Sequence, residues 1–141
     1  MMDFIGHLIT SAWCTCHSPC HFLFLSQVAM SSNETIFQAA ENGNIKSLSA
    51  LLATKADINA RHPNLQTPLH RAARGGQSRA VLMLLENNAA VNLEDANYLT
   101  PLHMTAISGH SDAVHALVTA KAALHPKDPS HQTPLYYAAW N

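Results

Sequence analysis

The tetrapeptide Thr67-Pro68-Leu69-His70 recurs along the chain at a fixed interval. It returns as Thr100-Pro101-Leu102-His103 and, with one change, as Thr133-Pro134-Leu135-Tyr136, so each copy starts 33 residues after the previous one. Self-similarity at a period of about 20 to 50 residues is the sequence signature of a repeat architecture. We therefore interpret most of the chain as an array of 33-residue units. These units are placed at residues 34–66, 67–99 and 100–132, with a partial fourth at 133–141.

Local chemistry within each unit predicts a pair of helices. Thr67 is a good N-cap because its hydroxyl can accept a backbone N–H, and Pro68 has a preset φ and no amide donor. The first helix should end at Gly76, since glycine readily adopts the left-handed conformation that follows many helices. A second helix, from about Gln77 to Asn87, has apolar residues at helical spacing. Its predicted seam is Ala80, Val81, Leu84 and Leu85, repeated in the next unit as Ala113, Val114, Leu117 and Val118.

The period and the run at residues 67–72 resemble the ankyrin repeat, whose signature is Thr-Pro-Leu-His-x-Ala. The resemblance extends from residue 34 to the end of the sequence, although Thr105 replaces the expected Ala. It implies an all-α fold: an ankyrin-repeat solenoid of stacked antiparallel helix pairs with β-hairpin-like loops. It also implies that His70 and His103 are hydrogen-bonded structural residues, which tie each helix start to the neighbouring loop.

Two glycine positions of the family pattern are filled by other residues. The glycine that usually follows the second helix is replaced by Lys55, Asn88 and Lys121. Asparagine tolerates positive φ, whereas each lysine should cost about 1 kcal/mol. The turn glycine two residues before each Thr-Pro pair is also replaced. We expect its large substitutes to pack on the next loop or to contact a partner; they are Leu65, Tyr98 and His131.

The resemblance places partner binding on a concave surface, which is formed by the loop tips and the exposed ends of the first helices. These positions combine amide, aromatic and aliphatic groups with little charge, which favours a polypeptide partner over nucleic acid. Tyr98 and Trp140 are the predicted hot spots, because aromatic anchors carry much of the energy of interfaces. An alternative buries Trp140 under a following repeat. The predicted contact set is Asn64, Leu65, Gln66, Arg74, Asn97, Tyr98, Leu99, Ile107, Ser108, Ser130, His131, Gln132 and Trp140.

Residues 1–30 are expected to be a separate leader that is disordered or weakly helical, with the repeat domain at 31–141. No charged residue occurs between Asp3 and Glu34, yet polar residues interrupt the apolar stretch too often for a membrane-spanning helix. One cluster in the leader contains metal-ligating side chains. Zinc sites usually need a second group of ligands, so we predict no metal site and keep a metal-binding leader as an alternative. The cluster is Cys14, Cys16, His17, Cys20 and His21.

Charge and motif content restrict the function. The chain has 8 basic and 9 acidic residues, a formal net charge of -1, and no run of one sign, which argues against a phosphate-binding surface. It also has no nucleophile elbow, phosphate-binding glycine loop or two-histidine zinc helix. We therefore predict a monomeric, non-enzymatic scaffold in the cytoplasm or nucleus, which binds a polypeptide and uses no cofactor, nucleic acid or small-molecule substrate.

A second hypothesis comes from the last unit, which stops within its first helix. It makes the chain the regulatory or substrate-recruiting repeat region of a larger enzyme, channel or ubiquitin-ligase adaptor.

Overall fold

The computed structural model describes residues 36–140, and in this range seven helices follow one another with no β-strand between them. None of these helices has the length and apolar character needed to cross a membrane. The leader at 1–30 and the proposed start of the first unit at Glu34 lie outside the described residues. The helices are α1 (residues 36–42), α2 (Ile45–Ala53), α3 (Pro68–Arg74), α4 (Ser78–Glu86), α5 (Pro101–Ile107), α6 (Ser111–Thr119) and α7 (Pro134–Trp140).

Each first helix begins at its Thr-Pro pair, as the sequence predicts. Thr67 has an extended backbone, its hydroxyl accepts the N–H of His70, and Pro68 is the first helical residue. At the other end of α3, Gly76 has a φ of +66°, and a Cβ atom there would lie 2.7 Å from the ring of His110. Backbone conformation and close packing against the next unit therefore both require glycine at this point.

The helices form two rows. The first helices α3, α5 and α7 pack side by side in one row, the second helices α2, α4 and α6 form the other, and α3 and α5 also pack on their own second helices. Leu48, Leu84 and Leu117 are fully buried between the rows. Alanines on α3, α4 and α6 are also fully buried, which lets neighbouring helices approach closely. The predicted Ala and Leu seams are therefore the core of the solenoid.

The seam prediction is wrong at Val118, which is 43% exposed. The equivalent residue one unit earlier, Leu85, is half-buried in the core. The difference arises because α6 packs beside α4, whereas no further second helix packs beside α6 within the described residues. Burial of a seam residue thus depends on the following unit as well as on its own helix.

Asparagine side chains join the segments that follow the second helices. The Oδ1 atom of Asn59 accepts the backbone N–H of Ala90 at 2.9 Å. One unit later, Oδ1 of Asn92 accepts the N–H of Ala123 at 2.8 Å. These bonds repeat with the period of the helices and fix each loop segment to the next.

The residues that replace glycine after the second helices have the left-handed conformation that the sequence predicts. The φ angles of Lys55, Asn88 and Lys121 are +61°, +65° and +60°. Lys121 directly follows the C-cap of α6, and its N–H donates to the carbonyl of Val118 at 3.0 Å. The hydrogen bonding of a helix terminus is therefore complete, and the cost of the lysine lies in its backbone conformation.

We expect Lys121→Gly to raise the free energy of unfolding by about 0.5–1 kcal/mol, because relief of left-handed strain exceeds the added entropy of glycine in the unfolded chain. Urea denaturation followed by circular dichroism measures this change. Ala50→Gly, at an exposed position within α2, is the matched control and should instead lose about 1 kcal/mol. Equal destabilisation by both substitutions would contradict the assignment of strain to residue 121.

Candidate functional site

The three loops that precede the Thr-Pro pairs are closed as tight turns. In the first, the N–H of His62 donates to the carbonyl of Gln66 at 3.0 Å, and the N–H of Leu65 donates to the carbonyl of His62 at 2.7 Å. The same two bonds recur in the loops that contain Tyr98 and His131. The predicted hairpin-like loops are therefore present as turns, and they hold Leu65, Tyr98 and His131 at the same point with φ angles of +59°, +61° and +60°.

Buried aspartates organise two of these turns. Asp95 accepts backbone N–H groups from Asn97 and Leu99 at 2.8 and 3.0 Å through one carboxylate oxygen. Asp128, 33 residues later, accepts two N–H groups of its own loop in the same way. Sequence reasoning missed both aspartates, although their spacing repeats the period. In the earlier loop the equivalent residue is His62, so the pattern is visible in only two units.

His70 links the start of α3 to the loop of the next unit. Its Nδ1 accepts the backbone N–H of Thr67 at 3.1 Å, and its Nε2 lies 3.0 Å from the carbonyl oxygen of Leu99. Since Nδ1 is an acceptor, Nε2 must carry the proton and donate it to that carbonyl. Burial lowers the pKa of His70, and a proton on Nδ1 would in addition face the N–H of Thr67. His70 is therefore a structural tie.

His103 makes the same connection one unit later. Its Nδ1 accepts the N–H of Thr100 at 3.1 Å, and Nε2 lies 3.5 Å from the carbonyl oxygen of Gln132. Burial lowers the pKa of this imidazole as well. The roles that the resemblance implied for the two histidines are confirmed by these contacts.

The first and second loops also contact each other directly. The N–H of Ala96 donates to the carbonyl of Asn64 at 3.0 Å, and the side-chain amide of Gln66 donates to the second carboxylate oxygen of Asp95 at 3.3 Å. This bond requires a correction to the predicted contact set. Gln66 points between the loops and is only 6% exposed, so it presents almost no surface to a partner.

A cavity of about 450 Å³ lies between the same two loops, and both Leu65 and Tyr98 line it. These side chains are 44% and 58% exposed. Arg61 and Glu94 add charge to the lining and were missed by sequence reasoning. Arg61 reaches the site by donating to the carbonyl of Glu94 at 3.1 Å. Since that contact joins residues 33 apart, no local motif marks it.

The final residues of the first helices form a second row. Arg74, Ile107 and Trp140 end α3, α5 and α7, and Trp140 is 82% exposed. Arg74 differs from the other two because its guanidinium is hydrogen-bonded and ion-paired with Glu41, which also pairs with Arg71. The hydrogen bond from Arg74 lowers the pKa of Glu41. Arg74 is thus an exposed but already paired cation.

The predicted contact residues therefore fall into three groups. Six loop-tip residues are exposed, and so are the three helix-end residues; the loop-tip residues are Asn64, Leu65, Asn97, Tyr98, Ser130 and His131. Leu99, Ser108 and Gln132 are half-buried, and Gln66 is buried. The alternative in which a following repeat buries Trp140 does not hold for the described residues. Loop tips and helix ends together give the surface two parallel rows with a 33-residue spacing.

A tyrosine fixes the fourth unit to the third loop. The hydroxyl of Tyr137 donates to the carboxylate of Asp128 at 2.6 Å, and its ring contacts that of His103 edge-on. This bond lowers the pKa of Asp128 and raises the pKa of Tyr137. The contact keeps α7 in register with α5, and it is a further link that sequence reasoning missed.

Residues 36–140 bring no three His, Cys, Asp or Glu side chains together in a way that could hold a metal ion. The Cys and His cluster at residues 14–21, for which metal binding was the alternative, lies outside the described part of the chain. That alternative stays a prediction.

Two family models match the chain. One describes ankyrin repeats in many copies and matches residues 51–104. The other describes ankyrin repeats in three copies and matches residues 84–141. No curated protein matches the sequence.

The two buried histidines predict how stability depends on pH. Their folded-state pKa values lie below the ordinary value of 6.5, so protonation favours the unfolded chain. The free energy of unfolding should be fully maintained above pH 6.5 and should decline as the pH falls below that value. Urea midpoints at pH 7.5 and 5.5 measure the decline. His70→Gln combined with His103→Gln should reduce this slope, and an identical slope in that variant would contradict the origin proposed here.

Proposed function

We propose that this chain, which belongs to the ankyrin-repeat family, is a non-enzymatic scaffold that binds a polypeptide partner on the concave side of its repeats. Ankyrin repeats are generally protein–protein interaction modules. The finer assignment concerns the surface, which is formed by the loop tips and the ends of the first helices. The regulatory or recruiting region of a larger enzyme, channel or ubiquitin-ligase adaptor would use the same surface.

The observation that carries the proposal is the strained conformation of three exposed loop-tip residues. Leu65, Tyr98 and His131 all have φ near +60°, at the turn position where glycine is the unstrained choice. Each costs about 1 kcal/mol or more relative to a relaxed backbone. Their exposed side chains recover little of this cost by burial. Strain of this kind concentrates at binding sites, and a side chain at the loop tip is what glycine could not offer a partner.

The chemistry of the surface favours a peptide segment. Leu65 and Tyr98 flank the cavity between two loops, and an aromatic anchor beside an aliphatic one is typical of the centre of an interface. Asn64 and Asn97 lie exposed at the adjacent turns and can exchange hydrogen bonds with a backbone. Trp140 extends the apolar character along the helix-end row. A polypeptide with a large apolar side chain beside free amide groups fits this combination.

The proposal predicts opposite effects of Tyr98→Gly on stability and on binding. The substitution removes left-handed strain and should raise the urea midpoint, yet it also removes the anchor and should reduce partner capture at least tenfold. Capture from cell lysate on the immobilised full chain, quantified by mass spectrometry, measures binding. Partners are scored only if Leu65→Gly also reduces their capture.

Lys121→Gly is the matched control for that experiment. It relieves the same kind of strain at an exposed residue after a second helix, outside the loop tips, so it should stabilise the chain and leave capture unchanged. If Tyr98→Gly retained full capture of every partner, the loop-tip surface would be excluded as the binding site. Parallel loss of capture in both variants would attribute the effect to rigidity instead.

Salt should have little effect on this interaction. The loop tips carry few charges, and Arg74 is already paired with Glu41. Discrimination then depends on shape and hydrogen bonding, which ionic screening leaves intact. We expect the Kd for a captured partner to change less than about threefold between about 50 and 500 mM NaCl, measured by isothermal titration calorimetry. A tenfold or larger weakening would indicate an ionic interface.

A further inference from the structure

An apolar groove lies open at the α7 end of the stack. It has a volume of about 250 Å³ and is lined by residues of α5, α6 and α7 and of the segment between α6 and α7. Apart from His125, every lining side chain is apolar. The most exposed of them is Leu135, at 70%. This groove is separate from the loop-tip cavity and shares no lining residue with it.

The same set of positions one unit earlier is covered. Leu102, which corresponds to Leu135, is 5% exposed, and Thr105, which corresponds to Ala138, is fully buried. Likewise Val81 is fully buried, whereas its counterpart Val114 is only half-buried. The covering element one unit earlier is α6, which packs on both α4 and α5. The periodic structure therefore identifies a helix in the position of α6 as the kind of element that fits the groove.

The lining residues keep the chemical character that α6 meets in its own place. Val114 and Val118 stand where α6 finds Val81 and Leu85, and Leu135 stands where it finds Leu102. The face that α6 buries combines two alanines with one leucine, namely Ala113, Ala116 and Leu117. A helix of about nine residues with this narrow Ala and Leu face would match the open groove, since α6 itself has 9 residues.

A second copy of the chain does not supply such a helix. Its α2, α4 and α6 are each joined to a first helix by a short turn. In the groove, the place of that first helix is already occupied by α7, so the attached helix of a second copy would collide with it. The occupant must be a second-row helix that has no first helix of its own.

From this geometry we propose that the groove between α6 and α7 binds a single amphipathic helix of a partner polypeptide, one that presents a face of alanine and leucine and takes the place of the next second-row helix. This site differs from the concave surface in position and in the ligand that it selects. Binding there buries Val118, Leu135 and Ala138, which are all exposed in the chain alone. Removal of this apolar surface from water drives the association.

The test uses a peptide with the sequence of residues 110–121, held helical by a hydrocarbon staple between the exposed positions 111 and 115 and carrying a fluorescent label. Fluorescence anisotropy during titration with the full 141-residue chain should show saturable binding. Leu117→Asp in the peptide changes the residue that α6 buries most deeply, and it should weaken binding at least tenfold. Equal binding of the two peptides, or no saturation with the first, would overturn the proposal.

Variants of the protein locate the bound peptide. Leu135→Asp should weaken binding at least tenfold while the chain keeps its fold, because the residue is exposed and an acidic group in the first turn of α7 suits the helix dipole. Ala138→Trp, which fills the groove, is a second blocking variant. Leu82→Asp, at an exposed leucine of α4, is the matched control and should bind like the wild type. Unchanged binding in both blocking variants would overturn the assignment.

Two further outcomes are informative. Tyr98→Gly should leave peptide binding intact, because the loop-tip cavity is a different site; loss of binding in that variant would overturn the separate location. Analytical ultracentrifugation of the chain alone tests the other occupant. A dimer that Leu135→Asp dissociates would assign the groove to a second copy and would overturn the proposed partner helix.

Discussion

The structure depends on the contact between the buried histidine of one unit and the loop of the next. His70 accepts an N–H from Thr67 on one side and donates to the carbonyl of Leu99 on the other. His103 repeats the connection between α5 and the loop that contains Gln132. The two ring nitrogens of a neutral imidazole thus satisfy a helix start and a distant backbone at the same time. Through this contact, helix packing in the core determines where the loop tips lie.

The loop tips illustrate a conflict between stability and binding. Glycine would relax the backbone at residues 65, 98 and 131, and likewise after the second helices at residues 55 and 121. The two groups of positions have the same local conformation but different surroundings. At the loop tips the large side chains lie at the edge of the candidate surface, where they give a partner something to contact. A sequence optimised for stability alone would place glycine at both.

The fold could be predicted from the sequence because its signals are local and repeated. The N-cap, the proline and the glycine of α3 lie within ten residues of one another, and the same chemistry returns 33 residues later. The site was predicted less well, since its contacts join residues of different units. The burial of Gln66 follows from its bond to Asp95, and the pairing of Arg74 follows from Glu41. The exposure of Val118 depends on a helix that the described residues do not contain.

The histidine contact can be tested without perturbing the protein. Nitrogen-15 NMR of His70 and His103 reports which ring nitrogen carries the proton, and a pH titration follows it. The structure predicts the Nε2–H tautomer for both residues, with Nδ1 still unprotonated below pH 6.5. Observation of the Nδ1–H tautomer, or of ordinary protonation near pH 6.5, would contradict the hydrogen-bonded tie between helix and loop.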